Sequence, residues 1–150
     1  MSNTIQALSA KDRSTGTSSI SASDRRKVIA FKAGGTIVAK DCVCFSTGAT
    51  GADRIVTVVQ ADADAPQTHQ GVGVALDAGS SGDIVRVVVQ GYVEGANVAS
   101  AVTIGELLNA SSTAGRAEKY VAAANEAPFG QALEAASTNT CDVWIFGLFA

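Results

Sequence analysis

The chain has 150 residues, of which 47% are hydrophobic, 5% aromatic and 17% charged, and its net charge is −3. This length fits one ordinary domain or two very small ones, with a core of Val, Ala, Ile and Leu rather than large rings. The negative charge argues against a general nucleic-acid binder, which needs a positive field to displace counterions, and a charged fraction below the usual roughly 25% points to a surface partly held against partners.

Residues 1–27 read as an arm. Ser and Thr dominate Ser14–Ser23, and no apolar period supports a packed element there. A short helix over Ile5–Asp12 would be marginal alone. The arm carries Lys11, Arg13, Arg25, Arg26 and Lys27 against Asp12 and Asp24, whereas the remainder is acidic. A basic arm on an acidic body suits docking onto an acidic surface. The N-terminus has no basic start followed by an apolar stretch, so no secretory signal is expected.

From Val28 the texture becomes strand-like. Val28–Phe31 is a short apolar strand, followed by the turn signal Gly34-Gly35. Cys42–Phe45 reads as a strand, Ser46–Asp53 as a Gly/Thr loop, and Arg54–Gln60 as a β-branched strand. Gly71–Leu76 is a strand of small residues, Gly79–Gly82 turns the chain, and Asp83–Gln90 gives the clearest strand, running on into Gly91-Tyr92-Val93. Short strands between Gly-rich turns predict an all-β fold, a β-sandwich or barrel-like domain.

The second half repeats this plan. Val102–Leu108 echoes Ile37–Val43, and Tyr120–Ala123 takes the place of Ile55–Val59. Gly130–Ala135 matches Gly73–Ala78, and Asp142–Gly147 answers Asp83–Val88. Helix propensity alone would favour a helix over Pro128–Ala136, but the match to the first copy predicts a strand. The expected organisation is an arm at 1–27 and a β-rich domain at 28–150, with halves at about 28–95 and 96–150. The apolar run Val143–Ala150 is too short to span a bilayer, which takes about 20 residues as a helix, and fits a buried strand. No membrane association is expected.

Candidate chemistry is sparse. A Cys42, His69 and Asn97 set has no supporting motif, and neither a nucleophile elbow nor a phosphate-cradling loop is present. Cys42-Val43-Cys44 has the wrong spacing for zinc, and Asp62 and Asp64 lack the further oxygen ligands and closing Glu of a calcium loop. Three cysteines cannot form a closed disulfide framework and read as small buried hydrophobes. No catalytic, cofactor or metal residues are assigned, and the chain is expected not to be an enzyme.

Ala33–Asp41, then a strand, then Gly73–Ala78 and Gly82–Val87 resemble the capsid cement, or decoration, proteins of tailed bacteriophages. The similarity covers about Val28–Val93, with a weaker second pass to Ala150. It implies a virion protein made in the host cytoplasm and bound outside an icosahedral head. It further implies trimers that staple neighbouring major capsid proteins through many weak contacts. On that reading Arg25, Arg26 and Lys27 contact acidic capsid or subunit surfaces, and Trp144, Phe146 and Phe149 serve core or oligomer packing. The alternative is a head-fibre or surface adhesin-type module recognising host glycans, against which the scarcity of aromatics speaks.

Overall fold

The computed structural model describes residues 25–64, 70–122 and 127–147. The helix considered over Ile5–Asp12, His69 and Phe149 lie outside these residues, as does nearly all of the arm. The described chain is all-β. Its strands are β1 (Arg26–Ala33), β2 (Cys42–Phe45), β3 (Thr57–Gln60), β4 (Gly73–Ala75), β5 (Ile84–Asn97), β6 (Leu107–Ala110), β7 (Ala117–Lys119), β8 (Gly130–Ala132) and β9 (Thr140–Ile145). They form one 9-stranded sheet in the order β1-β3-β2-β4-β5-β9-β8-β6-β7.

The sheet closes on itself. β1 pairs with β3 in parallel through Lys32–Thr57, and with β5 antiparallel from Arg26–Gly91 to Lys32–Ile84. The circuit β1-β3-β2-β4-β5 is therefore a small barrel, not one face of a sandwich. A barrel leaves no open edge. β5 then runs on past Gly91, and its second half opens another circuit through β9, β8, β6 and β7. Val98, one residue beyond β5, bridges in parallel to Ala117 of β7 and closes this second ring.

The two barrels share every pairing. The β2–β4 partners Val43–Gly73 correspond to Leu108–Gly130 of β6–β8, as the sequence repeat aligned them. Lys40 and Gly105 are equivalent, both at positive φ (75° and 83°), and both donate an N–H to a β-strand carbonyl, Ala75 and Ala132. Asp41 and Glu106 each accept an N–H from the residue three before, Val38 and Thr103.

Two elements differ from the sequence reading. The β3 equivalent is Ala117–Lys119, not Tyr120–Ala123, because Ala117 takes the buried place of Val58. In β9, Val143 pairs with Ala132 as Val87 pairs with Ala75, so Asp142 stands in place of Arg86 rather than Asp83. Aligning the two Asp residues shifts the strand by three positions, and an odd shift turns every side chain to the wrong face. Burial of Val85, Val87 and Val89 beside Cys141, Val143 and Ile145 fixes the correct register. In the first half, Arg54 and Ile55 belong to a 3-10 turn over Gly51–Ile55, and only Thr57–Gln60 of that stretch is strand.

Each barrel is filled by its own small apolar set. The first holds Phe31, Ile37, Val43, Val72, Val87 and Val89, and the second places Leu108, Phe129, Val143 and Ile145 at the positions of the last four. The second cluster also takes in Cys42, Cys44, Val74 and Val88, which point out of the first barrel. The outer face of barrel one is thus covered by barrel two. Alternation on β2 shows this directly: Val43 points inward, while Cys42 and Cys44 face the neighbouring barrel.

Candidate interaction surface

Arg25 precedes β1, while Arg26 and Lys27 are its first two residues. All three line a shallow polar cleft of about 260 Å³ together with Gln90, Gly91 and Trp144. The fold therefore joins two groups that are far apart in the chain, the basic residues and Trp144. The contact arises at Gly91 (φ 97°), where the backbone of Arg25 and Arg26 passes against the Cα position. Trp144 and Phe146 are not core residues. They lie on the outer side of β9 and its extension, 38% and 39% exposed.

Trp144 belongs to a row that crosses barrel two. Leu107 of β6 pairs with Gln131 of β8, Gln131 with Trp144 of β9, and Trp144 with Tyr92 of β5. Directly paired residues point to the same side of a sheet, so these side chains share the outer face. Leu133, two residues beyond Gln131, extends it, and Leu107 and Leu133 are each 40% exposed. Large hydrophobics gathered on one face of a small protein mark an interaction surface more often than scattered ones do. The sequence reading singled out Trp144 and Phe146 but missed Leu107 and Leu133. Their signal lay in the repeat itself, because Leu107 aligns with Cys42 and Leu133 with Leu76.

Tyr92 is tied to Asp142 on the same face. Its hydroxyl donates to Asp142 Oδ2 at 2.6 Å, and the Gly95 N–H donates to Asp142 Oδ1 at 2.9 Å. The neighbouring carboxylate holds the Tyr92 phenol in its protonated form and pushes it up to about 12.

A second concavity lies where the barrels meet. It measures about 380 Å³ and is lined by Asp41, Gln60, Asn97, Arg116 and Asn139, among others. The buried Asp41 carboxylate accepts from the Gln60 amide at 2.6 Å and the Asn97 amide at 2.9 Å. Asn97 comes from the start of barrel two, so this carboxylate is a polar staple between the barrels. The Cys42 thiol beside it faces the Asn97 carbonyl at 3.8 Å. Burial raises the Cys42 thiol and pushes Cys44 up to about 12, so neither is a ready thiolate nucleophile. No group of three or more His, Cys, Asp or Glu among the described residues could hold a metal ion.

No protein-family model matches the chain, and no curated protein does. Among solved structures, the chain is similar to the N base of the head fibre gp8.5 of bacteriophage phi29. The TM-score is 0.50 at 18% identity, covering 79% of this chain and 92% of that one. At this identity the likeness concerns the fold.

Proposed function

We propose that this chain is a virion structural protein of a tailed bacteriophage, bound on the outside of the head. The observation that carries the reading is the fold shared with a phage head-fibre base across nearly all of that base. On this reading the chain acts as a cement protein without catalytic activity or cofactor. It binds the major capsid protein, not DNA or membrane, and works as a homo-oligomer, a trimer on the lattice. Arg25, Arg26 and Lys27 would meet acidic groups of the capsid, and the exposed Trp144 and Phe146 would meet another subunit. Several weak contacts made together supply the hold.

A second reading makes the chain the base of a head fibre or an adhesin-type module for host glycans. It is favoured by the identity of the similar structure and by the polar cleft around Asp41 and Arg116, whose amides and carboxylate suit hydroxyl groups. Quantitative mass spectrometry of purified virions tests the shared part: a head that lacks the chain in stoichiometric amount overturns it. Heating heads with and without the chain then separates the two roles. Earlier DNA release without it supports cement. Unchanged release together with glycan-dependent host attachment supports the second reading.

A further inference from the structure

We infer that the outer face of barrel two receives barrel one of a second copy, head to tail, repeating between molecules the contact that joins the barrels within one. The inference deepens the self-association part of the proposed function and does not depend on capsid binding.

The row Leu107–Gln131–Trp144 is the equivalent, pair for pair, of Cys42–Val74–Val88 in barrel one. The latter three residues are fully buried because barrel two lies on them. At the Cys42 end of the row the β6–β7 turn docks on barrel one: Gly115 accepts the Cys42 N–H at 2.8 Å and donates to the Ala61 carbonyl at 2.9 Å, and Ser111 accepts from Ala63 at 2.9 Å. On the same face of barrel two Leu107 and Trp144 remain 40% and 38% exposed although they are larger apolar groups than Cys42 and Val88, while the middle residue, Gln131, is polar and donates its amide to the Gly105 carbonyl at 3.0 Å. A surface free of partners would favour polar residues at the Leu107 and Trp144 positions as well.

The repeat also names the incoming element. The counterpart of the β6–β7 turn is the β2–β3 connection of barrel one, which holds the Gly51–Ile55 turn. Its tip presents Ile55, 69% exposed, and the next residue Val56, 44% exposed. The charges are bipolar on both sides. Arg25, Arg26 and Lys27 border the Trp144 end of the face, Glu134 borders the Leu133 end, and the turn carries Asp53 beside Arg54. This contact joins two different patches, so it is heterologous: it closes into a ring, as a trimer requires, or extends into a chain of copies.

The test uses the full-length protein in solution, with subunit number read by light scattering across concentration. The expected result is an oligomer that Trp144→Glu and Ile55→Glu each reduce to monomer, with self-association weakened roughly thirtyfold or more. Both sites are exposed, so folding should survive. Leu107→Lys gives the same reading through a second site. Mixing the two Glu variants should restore one intact contact and yield a 1:1 dimer. A monomeric wild type overturns the inference. So does an oligomer indifferent to Trp144→Glu, or one sensitive to Trp144→Glu but not to Ile55→Glu. A monomer whose Trp144 emission shifts to the red on deleting residues 1–24 also overturns it, by assigning the face to the chain's own N-terminal segment. None of these outcomes alters whether virions contain the chain, so failure here is distinct from failure of the capsid reading.

Discussion

The two barrels have the same strand pairings but opposite surroundings. Inward positions keep one kind of residue: Ile37 and Val102, Val43 and Leu108, Val87 and Val143 are all buried aliphatics. Outward positions diverge, as in Cys42 and Leu107, Val88 and Trp144, and Arg86 and Asp142. Closure of a small barrel demands side chains of limited volume inside, while each outer face answers only to what lies against it. Equivalent positions therefore act as internal controls. Where their environments differ, the same substitution should have different consequences.

The largest difference is expected at the glycines that end each barrel. Gly91 and Gly147 are equivalent, with φ of 97° and 86°. A methyl group at Gly91 would collide with the main chain of Arg25 and Arg26, whereas at Gly147 its nearest neighbours would be atoms of the Gln90 side chain at 3.1–3.2 Å. Gly91→Ala should cost about 3–5 kcal/mol, from backbone collision added to left-handed strain. Gly147→Ala should cost about 1 kcal/mol, from strain alone. Urea unfolding followed by Trp144 fluorescence measures both. Equal losses would mean that close packing of β1 on the junction does not hold the barrels in place.

Asp41 and Glu106 give the next contrast. Both cap a turn, but Asp41 is buried and bonded to Gln60 and Asn97, while Glu106 is half-buried and paired with Lys119 near solvent. Removing a buried acceptor leaves two amide donors unsatisfied, so Asp41→Ala should lower stability by about 2–4 kcal/mol. Glu106→Ala should move the unfolding midpoint far less, since a solvent-screened pair contributes little. Asn97 belongs to barrel two, so Asp41→Ala should also broaden the transition as the barrels come apart. An unchanged, sharp transition would remove Asp41 from that role.

How much of this was legible follows from the same contrast. Alternation of Val85, Val87 and Val89 and the Gly-x-Ala-Leu segments announced strands and a duplication, because inward positions obey a pattern that a sequence displays. The β9 register was misread because the acidic residues chosen to align it lie outside the barrel, where the repeats are free to differ. Trp144 was open to core or oligomer packing because it sits between Val143 and Ile145, and period-two geometry places it on the face opposite theirs. The meeting of Arg25–Lys27 with Trp144 was not legible at all, since it depends on β1 and β9 flanking the same strand, β5.

The smallest predicted effect concerns charge on these outer positions. In barrel one, Arg86 makes a two-pronged bond to Asp77, at 2.8 and 2.7 Å. In barrel two the equivalents are both acids: Asp142 donates its N–H to Glu134 at 3.1 Å, just as Arg86 donates its own to Asp77. The guanidinium of Arg86 holds the Asp77 carboxyl down at about 2, against an ordinary 3.8. A depressed carboxyl contributes stability that is complete above its unfolded value and lost as pH falls through its folded one. Barrel one should therefore lose a small increment between about pH 4 and pH 2, and Asp77→Asn should flatten that limb. Barrel two has its linked group at the other end of the scale. The Tyr92 phenol, raised from 10.0 to about 12 by its bond to Asp142, contributes stability that is complete below pH 10.0 and lost as pH rises toward 12. Tyr92→Phe should remove the late phenolate absorbance step and flatten the alkaline limb. Unfolding midpoints across both limbs for the two variants would show whether each barrel carries its own pH dependence. If Asp77→Asn altered the alkaline limb, the separation of the two outer faces would be wrong.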